Sequence, residues 1–587
     1  MATIQLPASA QAELYDHLRF LYDDLDDTAL ETLHSDLLAL LEQSSLSLTS
    51  QAHDRLALSQ ADVVLISYAD QIRSPEASPL ATLHAFMRDY LRDMLNTVHL
   101  LPFYPYSSDD GFSVIDYLAV DPANGSWQDI AALGQDFALM FDAVINHISS
   151  QSAWFQGFLA DQAPYRDYFI SVDPATDLRD VVRPRISPLL TEVTTAAGNK
   201  HVWTTFSADQ VDVNYANPAV LLEIVAVVLE YIARGARILR LDAVTYLWKE
   251  VGTSCVHHPK THRVLQLLRS LCAWIEPQLV LLTETNVPHE ENISYFGDGH
   301  NEAHMVYNFA LPPLLLHSIL QGDAQVLSEW AASLQTPSAQ CCFFNFAASH
   351  DGIGLRPVET LLSQEDIAAL AQRAQAHGGL VSYKRNSDGS ESPYELNISY
   401  MDALNAPDSD EALELQCRRF MVSQAIVLAL AGVPGLYVHS VFGSRSDYDA
   451  PVRTGNKRSI NRRKFERHVL EAELHNPESL AAQVYQAFAK LLRVRRQQAA
   501  FHPLAPQQVL LLHPAVFALE RRSLPEASEA QRLLCLHNLS AQSHTLNLQN
   551  HLPADSYGYD LLSEATVNPD AVQLEPYQVL WLEWRSS

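Results

Sequence analysis

Three acidic side chains each close a β-like run: Asp242 after Arg237–Leu241, Glu284 after Leu279–Thr283, and Asp351 after the segment that starts at Phe344. Such a set suits sugar transfer through an oxocarbenium-like transition state. One carboxylate attacks, a protonated second delivers a proton from the other side of the bond, and a third holds the sugar. Arg240 lies two residues before Asp242, so on a strand both side chains share a face and line a site. The spacing alone also permits a surface ion pair at an exposed strand end.

The elements that must carry these residues repeat along the chain. Asn217-Pro218 opens an apolar stretch to Arg234, with an Asn cap, Pro at the first helical position and Gly235 as a stop. A short strand to Asp242 follows. Similar apolar runs occur at 63–67, 97–101, 139–146, 279–284, 305–310, 342–347 and 435–439, with helix-like stretches between most of them. Eight βα steps with polar strand ends predict an α/β fold, a (β/α)8 TIM barrel with its chemistry at the C-terminal face. Periodicity alone leaves an open doubly wound sheet possible.

The ordered motifs Phe103–Tyr106 with Asp109–Phe112, Asp142–His147, Arg240–Ala243, Thr283–Asn286 and Ser349–Asp351 resemble those of the α-amylase superfamily, glycoside hydrolase family 13. Arg183–Arg185, Trp203–Asp212, Gly252–Cys255, Asp351–Gly354 and Ile460–Arg462 are similar to its sucrose phosphorylase branch, which includes phosphorylases of glucosylglycerol and glucosylglycerate. The resemblance implies Asp242 as nucleophile, Glu284 as general acid/base and Asp351 as transition-state stabiliser. In a retaining pair the two carboxyl groups stand about 5–5.5 Å apart. Arg240 would hydrogen-bond Asp242 and keep it ionised.

The same resemblance implies that Asp109, His147, Gln210, His350 and Arg462 hold the glucosyl unit; Phe206, Tyr246 and Tyr106 read either as apolar platforms for the sugar face or as core aromatics at strand ends. It assigns Arg185 to inorganic phosphate, the co-substrate, and the product would be α-glucose 1-phosphate. No cofactor and no metal is implied. Glu395, beside Tyr394, replaces a glutamine usual in sucrose phosphorylases, and Asn286 replaces a histidine. Both changes turn the expectation from sucrose to glucosylglycerol or glucosylglycerate. The acidic loop 386–395, preceded by Lys384 and Arg385, would repel a carboxylate, which makes glucosylglycerol the expected substrate. Sucrose phosphorolysis, α-glucosidase or transglucosidase activity, and a non-catalytic amylase-like binding subunit are the alternatives.

Lys and Arg total 39 against 69 Asp and Glu, a formal charge of -30. That balance argues against nucleic acid or anionic membranes as partners and leaves small molecules, an α-glucoside and phosphate, bound by a monomer or homodimer. Any phosphate site must be locally positive. Six cysteines with no CxxC spacing read as reduced and buried. The start of the chain lacks a basic and apolar leader and no run reaches membrane length, so the expected location is cytoplasmic. The breaks predict a helical extension (1–58), barrel (59–146), inserted B domain (147–212), barrel (213–351), a second insertion with the acceptor loop (352–401), the barrel end (402–503) and a C-terminal β-sandwich (504–587).

Overall fold

The computed structural model describes residues 6–44, 46, 56–184, 187–385, 390–551 and 556–586. Eight parallel strands close into a barrel in simple chain order: β1 (Val64–Ser67), β2 (Thr97–Leu100), β3 (Ala138–Ala143), β4 (Ala236–Leu241), β5 (Val280–Thr283), β6 (Met305–Tyr307), β7 (Cys342–Asn345) and β8 (Val433–Tyr437). Most are continuous apolar runs, because a parallel strand wrapped by helices is buried on both faces. Among the buried polar residues of these strands, His99, Asp142 and Arg240 lie on neighbouring strands, and Asp142 pairs in register with Arg240.

Local signals set the helices. The helix Pro218–Ala233 begins at Asn217, whose side chain accepts from the Ala219 N–H, and ends before Gly235 at φ +93. Ahead of the barrel, α1 (Ala8–Leu21) and α2 (Asp27–Gln43) form a hairpin against the outside of the helical ring. The Tyr22 hydroxyl donates to the Tyr215 carbonyl at 3.1 Å, and Lys260 meets Asp23 at 2.7 Å.

Two segments rise above the C-terminal mouth of the barrel strands. After β3, the hairpin Leu190–Thr195/Gly198–Trp203 and the pair His147–Ser149/Gln210–Asp212 build one wall. After β7, Ile353–Gly354, Leu380–Arg385 and Glu391–Asn397 form a three-stranded sheet behind the helix Gln364–Ala376. Glycine is required in that sheet: a Cβ on Gly352 would lie 2.5 Å from Glu395 Cγ, and one on Gly354 would lie 2.9 Å from Asn286 Nδ2. Downstream, a six-stranded antiparallel sheet and a two-stranded one make the C-terminal region. It is fastened to the barrel by the buried Arg521, which donates to the carbonyls of Ala429, His502 and Ala505. Among the described residues no helix is long and apolar enough to cross a membrane.

Candidate active site

The nucleophile candidate sits where β4 ends, and a buried chain of charges holds it. His99 Nε2 meets Asp142 at 2.6 Å, Asp142 pairs with Arg240, and Arg240 Nη1 donates to Asp242 Oδ1 at 2.8 Å. Burial opposes charge on Asp142, yet Arg240 and His99 keep its pKa below the usual carboxylate range. Burial raises the pKa of Asp242, and the hydrogen-bonded Arg240 works against that rise. Ala243 turns into the left-handed region at φ +53, a conformation that costs a β-carbon residue about 1–2 kcal/mol. That turn aims its N–H at Glu284 Oε2, 3.3 Å away.

Glu284 stands at the end of β5 with no cation hydrogen-bonded to it among the described contacts. Burial pushes its pKa up to about 7, with the Asp242 and Asp351 charges adding to the rise and Arg240 opposing it. Asp351 is the reverse. Burial would raise it, but Arg458, His350 and Arg240 hold it well below the ordinary carboxylate range. Glu284 and Asp351 are thus pushed in opposite directions, one towards carrying a proton and one towards staying ionised, while Arg240 opposes the rise that burial imposes on Asp242.

The pocket, about 700 Å³ including its open mouth, is lined by all three acids and by Asp109, His147, Phe206, Gln210, Arg240, Asn286, His350 and Tyr394 of the sequence-predicted set. Tyr246 also lines it, and Tyr106 does not. Arg462 lies behind the wall, donating to Asp110 at 2.5 Å and to the His350 carbonyl at 2.9 Å. Arg185 and loop residues 386–389 fall outside the described residues; Pro184, next to Arg185, reaches the pocket. Asn286 Oδ1 and His350 Nδ1, on two pocket-lining residues, are buried without a protein partner among the described residues, which leaves them for a polar ligand.

Two supporting residues escaped the sequence reading. Lys249, nearly fully buried, bonds Asp212 Oδ2 and Asn146 Oδ1, each at 2.7 Å. That contact fixes the Asn146 amide, so its Nδ2 donates toward His147 Nδ1 at 3.2 Å, and His147 carries its proton on Nε2, donating to the Phe112 carbonyl at 2.9 Å. Arg458 is the second. It pairs with Asp351 and takes Glu395 in a two-point grip, Nε to Oε1 at 3.1 Å and Nη2 to Oε2 at 2.6 Å. The one available signal was a basic run, Lys457-Arg458 and Arg462–Lys464, in an acidic chain.

This pairing corrects the reading of the acceptor loop. Glu395 does not present a free negative charge to an acceptor, because it is buried and its carboxylate is bound by Arg458. Glu391, by contrast, is exposed. Lys384 meets Glu359 at 2.5 Å. One of the three acids behind the preference for glucosylglycerol is therefore neutralised, and another, Asp388, lies outside the described residues.

The description "Alpha amylase, catalytic domain" matches residues 87–351. A glucosylglycerate phosphorylase from Allomeiothermus silvanus is 48% identical over 86% of this chain and 89% of the relative. A glucosylglycerol phosphorylase from Marinobacter adhaerens is 28% identical over 75% of this chain and 88% of the relative. In structure, sucrose 6F-phosphate phosphorylase from Thermoanaerobacter thermosaccharolyticum superimposes with a TM-score of 0.72 at 23% identity, covering 90% of this chain and 98% of that one, a likeness of fold. The chain belongs to the α-amylase superfamily, glycoside hydrolase family 13. Within it, the chain is a glucoside phosphorylase, an enzyme of the glycosyltransferase type.

Proposed function

We propose that the protein phosphorolyses an α-glucoside of glycerate, yielding α-glucose 1-phosphate and glycerate with retained anomeric configuration. The observation that carries the choice of glycerate is the two-point Arg458–Glu395 grip, which neutralises one of the like charges that an anionic leaving group would meet. The 48% identity to a glucosylglycerate phosphorylase supports the same choice.

In the first half-reaction the ionised Asp242 attacks the anomeric carbon as Glu284 passes its proton to the glycosidic oxygen; the C–O bond breaks and glycerate leaves. In the second, a phosphate oxygen attacks the same carbon, displaces Asp242, and Glu284 regains a proton from the phosphate. Asp351, low in pKa, stays ionised through both steps and stabilises the positive charge that develops on the sugar. Loss of the Asp242 charge on glycosylation favours ionised Glu284, the form needed as base. His147, His350, Asp109, Gln210 and Arg462 hold or frame the glucosyl unit, with Phe206 against its apolar face. Arg185 contacts phosphate.

Retention of a charged sugar phosphate suits residence in the cytoplasm. The substrate is tested by a phosphate-dependent screen of glucosylglycerate, glucosylglycerol and sucrose, read as glucose 1-phosphate release. Glucosylglycerate should give the highest kcat/KM. A higher value for either neutral substrate would overturn the reading.

A further inference from the structure

The turn that presents Asp109 to the pocket is strained. Asp109, Asp110 and Gly111 follow one another at φ +53, +49 and +110, and only the glycine takes that region without a steric cost. Two consecutive β-carbon residues in the left-handed region persist only where their surroundings hold them there. On one side Arg462 holds Asp110. The other hold is at the neck of the turn, where Tyr106 bridges to Val114 and the Ser107 N–H donates to the Ser113 carbonyl at 3.1 Å.

Asp209 closes that neck. Its Oδ2 accepts from the hydroxyls of Ser107 and Ser108, each at 2.5 Å, and lies 2.8 Å from Ser113 Oγ. Its Oδ1 accepts from the Ser150 hydroxyl at 2.5 Å, which ties in the segment after β3. Burial opposes the charge on Asp209, but these four hydroxyls hold its pKa below the usual carboxylate range. Asp209 does not line the pocket, whereas two residues that it connects do: Asp109 directly follows Ser108, and Gln210 directly follows Asp209. Gln210 Nε2 lies 3.4 Å from Asp109 Oδ2 and donates to the Phe112 carbonyl at 3.1 Å. We propose that Asp209 is a positioning residue that acts through Asp109: its serine-clasped carboxylate pins the neck of the strained turn to the strand bearing Gln210, and so sets where Asp109 meets the glucosyl unit. This rests on the glucosyl-site part of the reading above and is independent of the choice of glycerate.

The test is fluoride release from α-glucosyl fluoride with phosphate as acceptor, a donor that carries no glycerate. Asp209→Ala should lower kcat/KM about 10–100-fold, the effect of losing one hydrogen bond to a charged group at the sugar. Asp209→Asn keeps one acceptor oxygen, and serine hydroxyls can accept from its amide, so it should lose less than about tenfold. Asp109→Gly removes the carboxylate that Asp209 sets in place, and glycine is at ease at φ +53. In that background Asp209→Ala should cost less than about threefold more, whereas damage spread through the fold would cost as much without Asp109 as with it. If Asp209→Ala is folded at the assay temperature and keeps kcat/KM within about threefold of the parent, the proposal is overturned. A loss that persists in full beside Asp109→Gly overturns it too, as does an Asp209→Asn enzyme no better than Asp209→Ala. Should Asp209→Ala not fold, Ser108→Ala, which removes one clasping hydroxyl, decides by the same cycle. A loss of about three- to tenfold that disappears beside Asp109→Gly then supports the proposal, and any other result overturns it. A parent enzyme that releases no fluoride overturns the glucosyl-site reading and the proposal with it.

Discussion

Replacing Glu284 by glutamine removes a transferable proton and keeps the side chain's shape. The magnitude follows from its surroundings: a carboxyl group whose pKa rises from 4.5 to about 7 binds its proton roughly 300-fold more tightly than in water. At neutral pH about half of the resting enzyme then carries that proton, and kcat/KM for a natural glucoside should fall with an apparent pKa of about 7 as pH rises. The sign is fixed by the role, since the acid form is active in the first half-reaction. With Glu284→Gln that alkaline limb should vanish. General acid catalysis is worth about 10²–10⁴-fold, so loss on the natural glucoside should fall in that range. α-Glucosyl fluoride, whose leaving group needs no proton, should lose less than about tenfold with phosphate as acceptor. The assay is glucose 1-phosphate formation across pH 5–9 with both donors. Equal losses on both donors, or an alkaline limb that persists in the variant, would refute the reasoning.

Asp242→Asn should abolish transfer with little change in thermal stability, because the change is nearly isosteric; undiminished glucose 1-phosphate formation by the purified variant would sink the assignment. Arg185→Ala should raise the phosphate KM and shift product from glucose 1-phosphate towards glucose, since water then competes for the glucosyl-enzyme; product ratios at fixed phosphate check this. Arg458→Met leaves Glu395 and Asp351 without their shared cation, and breaking such a buried pair costs about 3–5 kcal/mol, measurable by chemical denaturation. In that variant the pKa of Asp351 rises, so activity should be lost at a higher pH on the acid side than in the parent. Gly354→Ala should press on Asn286 and weaken acceptor use more than α-glucosyl fluoride hydrolysis; equal effects on both would contradict that placement.

The barrel was legible because its chemistry stands at the ends of apolar strands, where a polar residue after a buried run is conspicuous. Arg240 and Asp242 could be put on one face from spacing alone, and the structure joins them by a hydrogen bond. The charge state of the acceptor loop was not legible. Glu395 meets its counter-ion 63 residues away, and Arg458 reaches Asp351 across 107. Composition counts acids along a loop; it cannot reveal which are neutralised by a cation brought in from the segment after the neighbouring barrel strand. Lys249 was hidden for the same reason, since its partners Asn146 and Asp212 come from the segment after β3. His99 stood out little in a short strand that also holds Thr97, and its role depends on Asp142 beside it in the barrel.

The central claim, retained transfer of a glucosyl group from glycerate to phosphate, is tested most directly by proton NMR of the full-length enzyme with glucosylglycerate and inorganic phosphate. The account predicts that the α-glucose 1-phosphate anomeric signal rises first, together with glycerate, and disappears from the reaction when phosphate is omitted. Release of free glucose at the same rate with or without phosphate, or first appearance of the β-phosphate, would contradict it.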